Sequence, residues 1–161
     1  MSVVRLPVIL TCSSLAEYVK QAQENMGTAW PVVQLDKRYH VEPKDMRERV
    51  FEAIEDLSRD HDTILVSMGF CGGSWDQVTA PCRIVIPRVD DCVSLLQRGD
   101  GYVPNLKEMG HLYLYEKDVS ESLFTRIGEN VDPEMADEMI DMYFGNYHHL
   151  DIIDTGYNDC Y

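Results

Sequence analysis

The sequence predicts an α/β fold: a single domain over residues 1–161, with a largely parallel sheet flanked by helices in a Rossmann-like three-layer arrangement. Six short runs rich in β-branched and aromatic residues recur along the chain. Helical patterns lie between several of them, the alternation expected of βαβ units. The length of 161 residues and the 45% hydrophobic content suit one ordinary domain with a real core.

The first run, "LPVIL", reads as a strand, and "SSLAEYV" opens a helix after it, with Ser14 and Glu17 at the spacing of a capping box. "WPVVQL" reads as the second strand. The clearest helix follows, "EPKDMRERVFEAIEDLSRD", with Pro43 near its start and Met46, Val50, Ile54 and Leu57 on one stripe. "DTILVSM" is the third strand. It breaks into "GFCGG" and resumes as "GGSWDQV", where Ser74 and Gln77 repeat the capping-box spacing. "CRIVIP" is the fourth strand, and Asp90 or Asp91 is placed to cap the short helix "CVSLLQ". "HLYLY" and "HLDIID" are later strands. Between them, Ser120 to Tyr147 reads as one or two helices, the second opened by Pro133 and ending near Gly145, with Met135, Met139, Met142 and Phe144 as a packing face.

Lys and Arg total 14 against 28 Asp and Glu, a net charge of -14 that repels a phosphate backbone and argues against nucleic acid as a partner. The excess is concentrated in residues 116–161, which carry 12 acids and 2 bases and read as a solvated acidic helical face. No apolar run reaches the length of a membrane span, and the N-terminus lacks a signal-peptide pattern, so the expectation is a soluble, cytoplasmic protein. Five cysteines, an odd number in such a chain, fit reduced thiols or metal ligands better than a disulfide framework. Patterns of the GxSxG, P-loop, GxGxxG and HExxH kinds do not occur, which leaves thiol and metal chemistry.

Parallel sheets bind ligands beyond the carboxyl ends of their strands, so each cysteine can be sorted by sheet edge. Cys12 follows the first strand, Cys71 the third and Cys92 the fourth, and His40 ends the stretch after the second. Three thiols and an imidazole at one rim could supply a Cys3His set for zinc or an iron–sulfur cluster. Cys82 begins a strand at the opposite edge and reads as a core residue; Cys160 lies by the chain end, and neither joins the set. Each of the other cysteines has a plain alternative as a small buried hydrophobe.

The glycines beside Cys71 leave its sulfur unshielded, and the amides of Gly72, Gly73 and Ser74 could form an anion-binding nest; a tight turn is the simpler reading. Arg88 is placed either to hold an anionic substrate or to pair with a neighbouring aspartate. His61, His111, His148 and His149 precede or open strands at the wrong edge, and "DTG" at Asp154 to Gly156 is explained by turn chemistry.

The pieces "TCSSLAEYV", "YHVEPKDMRERVFEAIE", "ILVSMGFCGG", "IVIPRVDDCVSLLQRGD", "MGHLYLY" and "LDIIDTGYND" span nearly the whole chain. In this order the chain resembles the bacterial and archaeal family known as domain of unknown function 1638. By position, the resemblance singles out Cys12, His40, Cys71 and Cys92. It differs at Asp90, where the family tends to have His, and at His111, where it tends to have Thr. The resemblance implies a setting in anaerobic, corrinoid-dependent methyl metabolism, with a small molecule or a corrinoid protein as partner and a zinc-activated thiolate as a compatible methyl acceptor.

Three functions are therefore expected candidates. The first is a metal-binding protein using Cys12, His40, Cys71 and Cys92, acting in methyl or thiol transfer. The second is a non-catalytic module that binds an anion or a partner through the Gly72–Gly73 rim. The third is a thiol enzyme with Cys71 as nucleophile and His40 as base.

Overall fold

A computed structural model describes residues 5–41, 43–97, 110–115 and 131–156 of the chain. The chain divides into two compact units, Met1–Leu95 and Leu96–Tyr161.

The first unit is built on four parallel strands, β1 (Val8–Cys12), β2 (Val32–Leu35), β3 (Thr63–Ser67) and β4 (Arg83–Val85), in the order β2-β1-β3-β4. Helix α1 (Ala16–Met26) joins β1 to β2, and α2 (Pro43–Asp60) joins β2 to β3. The apolar run of β1 is what a strand with neighbours on both sides requires: all five of its residues are buried, and Leu10 lies against both Val33 and Val66. In β3 burial alternates, with Ile64 and Val66 inside.

On α2 the fourfold spacing of Met46, Val50 and Ile54 produces a stripe whose three side chains are at most 1% exposed. Burying each stabilises the fold by about 1.5–3 kcal/mol before entropy is counted. Helix α1 contributes Val19 to the core and stops at Gly27, whose φ of 65° few other residues adopt readily.

The strand order fixes where a site can form. From β1 the chain steps outward to β2, then returns across β1 to β3, so right-handed crossovers put α1 and α2 on opposite faces. Three layers result, as the alternation of elements predicts. The reversal also makes the carboxyl ends of β1 and β3 the point where following chain leaves in opposite directions, opening a crevice there.

Two local expectations fail. Neither Ser14 nor Ser74 caps an α-helix: Ser13–Leu15 is a 3-10 turn ahead of α1, and Cys71–Gly73 is a 3-10 turn followed by further turns through Gln77. The reason is that both serine hydroxyls donate to groups of nearby cysteines instead of accepting from a helix terminus. Cys82 is only half-buried just ahead of β4, less enclosed than the core residue its type suggested.

The second unit contains β5 (His111–Leu114) and β6 (His149–Ile152), paired in parallel, and helix α4 (Pro133–Phe144). Pro133 opens α4 as the sequence predicts, and Asp132 caps it by accepting from the Glu134 amide at 3.1 Å. The expected packing face forms only in part: Met139 and Phe144 are half-buried, Met135 and Met142 are exposed, and Ala136 is the buried residue of α4. The earlier helix expected within residues 120–130 and Cys160 lie outside the described residues. Among the described residues no helix is long and apolar enough to cross a membrane.

Candidate thiol and metal site

Cys12, Cys71, Cys92 and His40 all belong to the first unit and all follow the carboxyl end of a strand. Cys12 is the last residue of β1, and its side chain is fully buried. His40 stands in the 3-10 stretch Lys37–Val41 after β2. Cys71 opens the turn beyond β3, and Cys92 opens helix α3 (Cys92–Gln97) beyond β4.

The cysteine-bearing segments are held by backbone contacts. The Phe70 and Cys71 amides donate to the carbonyls of Val89 and Asp90 at 3.0 and 2.8 Å. Gly69 permits this approach: a Cβ there would lie 2.5 Å from the Cα of Asp91. Asp91 then caps α3 through its Oδ1, which accepts from the Ser94 amide at 2.7 Å. On the other side, Thr11 Oγ1 donates to the Ser67 carbonyl at 2.8 Å and ties the ends of β1 and β3 together. Ser13 Oγ accepts from the Lys37 amide at 2.9 Å, which anchors the segment carrying His40 to the end of β1.

These constraints bring all four predicted groups together. The Cys12 sulfur lies 3.3 Å from His40 Nε2, and the Cys71 and Cys92 sulfurs are 3.9 Å apart. Cys12 and Cys92 shift one another's protonation, which couples the two pairs. Ser14 Oγ donates to the Cys12 sulfur at 3.1 Å. Cys12 and Cys92 are buried, Cys71 is half-buried and His40 is exposed, so the cluster opens to solvent on the Cys71 and His40 side.

The three thiols are not equivalent. A hydrogen bond from Cys92 holds the Cys71 thiol below its ordinary value, against the opposing effect of burial. The Cys12 thiol is pushed up to about 12 by its hydrogen bond with Cys92 and by burial, although His40 and Ser14 pull the other way. Cys92 feels a lowering bond from Cys12, but its bond to Cys71 and its burial outweigh this and raise it to about 12. Of the three thiols, Cys71 is therefore the one that deprotonates most readily, and Cys12 and Cys92 hold their protons until the pH approaches 12.

As the side chains stand, no group of three or more His, Cys, Asp or Glu among the described residues is arranged to hold a metal ion. Two of the separations are nevertheless close to those across a coordination tetrahedron. Tetrahedral zinc with Zn–S of about 2.3 Å and Zn–N of about 2.0 Å places neighbouring sulfurs about 3.8 Å apart and sulfur from nitrogen about 3.5 Å. The 3.9 Å between Cys71 and Cys92 and the 3.3 Å between Cys12 and His40 are close to these edges. Ser14 already supplies an outer donor of the kind metal-bound thiolates take.

The other candidates are placed less favourably. Gly72 and Gly73 do adopt positive φ, 67° and 88°, and Cys71 joins them at 45°. The Ser74 amide, however, is bonded to the Phe70 carbonyl at 3.1 Å, so an anion would meet at most the Gly72 and Gly73 amides. The Asp76 carboxylate lies beside Gly73 and 3.6 Å from Arg47, which brings negative charge to that rim. Arg88 is exposed. His40 bonds Cys12, whereas the thiol-enzyme reading needs it at Cys71.

Sequence reasoning missed Gly69, Ser14 as a thiol donor, and Arg47, which donates to the Gly73 carbonyl at 3.1 Å. The two-residue spacing of Cys12 and Ser14 was the available signal for the second. Nothing local signals the other two. In comparison with known proteins, the model of a family described as "Protein of unknown function (DUF1638)" matches residues 34–161, a span that includes His40, Cys71 and Cys92 and leaves out Cys12. No curated protein and no solved structure matches the chain.

Proposed function

Because the chain belongs to the DUF1638 family, whose description assigns no activity, we propose a function from its own side chains: it binds a metal through Cys12, His40, Cys71 and Cys92. The observation that carries this reading is that three thiols and an imidazole stand at the carboxyl edge, paired as Cys12 with His40 and Cys71 with Cys92 at separations near the edges of a coordination tetrahedron. Zinc suits the cluster well. A four-iron cluster takes one cysteine on each iron and would spread the sulfurs apart, whereas Cys71 and Cys92 are nearly in contact. Bound zinc would hold the thiols deprotonated, removing the cost of burying three sulfurs that otherwise compete for protons.

The test is elemental analysis with a visible spectrum on protein prepared without oxygen. About one zinc per chain is expected, with Cys71→Ser retaining a small fraction of it. Folded wild-type protein without metal sinks the reading.

The finer role, methyl or thiol transfer in corrinoid-linked metabolism, is supported by the sequence resemblance and by the half-exposed Cys71 thiol, held below its ordinary value. A cysteine-alkylated mass after incubation with a methyl donor would support it.

A further inference from the structure

We infer that Cys71 and Cys92 form a redox pair, closing into a disulfide when a hydroperoxide reaches the rim and so withdrawing two of the four donors from the site. The regulatory meaning of this pair rests on the metal reading above, while the disulfide chemistry needs only the two thiols.

The geometry distinguishes these two sulfurs from the third. At 3.9 Å they need to move by about 1 Å each to reach a disulfide bond length of about 2.05 Å. Both carrier segments are already clamped by the Phe70 and Cys71 amides and by the close passage of Gly69 against Asp91. Cys71 is also followed by Gly72 and Gly73 in the left-handed region, where torsional adjustment meets no Cβ. Cys12 lacks this freedom. It is paired with Leu35 within the sheet, and its sulfur is engaged by both Ser14 and His40.

The chemistry balances with a hydroperoxide as oxidant. The more accessible sulfur, Cys71, attacks the terminal peroxide oxygen; an S–O bond forms, the O–O bond breaks, and the alkoxide leaves and takes up the thiol proton as an alcohol. The Cys92 sulfur then attacks the sulfenic sulfur of Cys71. The S–S bond forms, the S–O bond breaks, and hydroxide leaves with the Cys92 proton as water. Two thiols are oxidised by two electrons and one peroxide is reduced. Thiol reductants reverse the process by exchange.

The experiment treats the full chain, as isolated and after chelator treatment, with stoichiometric hydrogen peroxide, followed by peptide mass mapping and elemental analysis. The expected result is a Cys71–Cys92 cross-linked peptide in both samples, loss of two free thiols per chain, and loss of metal from the loaded sample. Cys92→Ser should instead leave a Cys71 sulfenic acid that dimedone traps, and Cys12→Ser should keep the cross-link. Cys71 oxidised to sulfinic acid beside a free Cys92, or a cross-link joining other cysteines, overturns the inference. The two proposals fail separately: cross-linked protein that never held metal refutes the metal site alone, and zinc-loaded protein that forms no cross-link refutes the redox pair alone.

Discussion

Cys71 combines properties that Cys12 and Cys92 do not share. It has a φ of 45°, unusual for a residue with a side chain, half-exposure, and a thiol held below its ordinary value chiefly by Cys92. Iodoacetamide applied to metal-free protein below pH 9 should therefore modify Cys71 well before Cys12 and Cys92, which resist until the pH approaches 12. Tryptic mass mapping across a pH series reads the order. The same shifts act on stability with opposite signs. Cys12 and Cys92 have folded values raised above 9.0, so their contribution is whole below pH 9 and is lost as pH rises toward 12. Cys71, lowered in the fold, contributes most above its unfolded value and loses this as pH falls.

At the scale of elements, the site depends on how closely the exit from β3 passes the start of α3. Gly69→Ala places a Cβ against the Asp91 backbone and should cost about 1–3 kcal/mol in urea denaturation. It should also lower metal content, since it displaces the segments of Cys71 and Cys92. Gly27→Ala, at the end of α1, is the contrasting case. A Cβ there meets nothing within 4 Å, so its cost of about 1–2 kcal/mol arises from the left-handed backbone alone and should leave metal content unchanged. Equal metal loss in both variants would mean that general destabilisation, not the Gly69 contact, empties the site.

For the molecule as a whole, all four proposed ligands lie in the first unit, at the ends of strands adjacent in the order β2-β1-β3-β4. A metal bound there links segments far apart in sequence and stabilises only the folded state. Hydrogen exchange by mass spectrometry should show added zinc slowing exchange in residues 8–16, 36–41, 66–74 and 89–95 more than elsewhere. Protection spread evenly over residues 110–115 and 131–156 as well would contradict a site confined to the first unit. The net charge of -14 adds a general affinity for cations, so magnesium at the same concentration is the control for selectivity.

The alternation of apolar runs and amphipathic stretches was enough to predict a parallel α/β sheet, because period and β-branching act locally. It also sorted the cysteines by sheet edge: the direction of each strand in a parallel sheet follows from chain order alone. The stripe of Met46, Val50 and Ile54 and the opening of α4 at Pro133 were legible for the same reason. Strand order was not, and it decided whether the four candidates would meet. That β1 lies between β2 and β3, with β4 outside β3, depends on crossovers between distant segments, and so does the contact of Gly69 with Asp91. The serines at positions 14 and 74 had a capping spacing, but a neighbouring sulfur and carbonyl compete for their hydroxyls, and only the folded chain brings those acceptors into range. Sequence by itself determined which groups reach the rim; tertiary structure decided that His40 pairs with Cys12 and Cys71 with Cys92, because a few ångströms of strand packing set those distances.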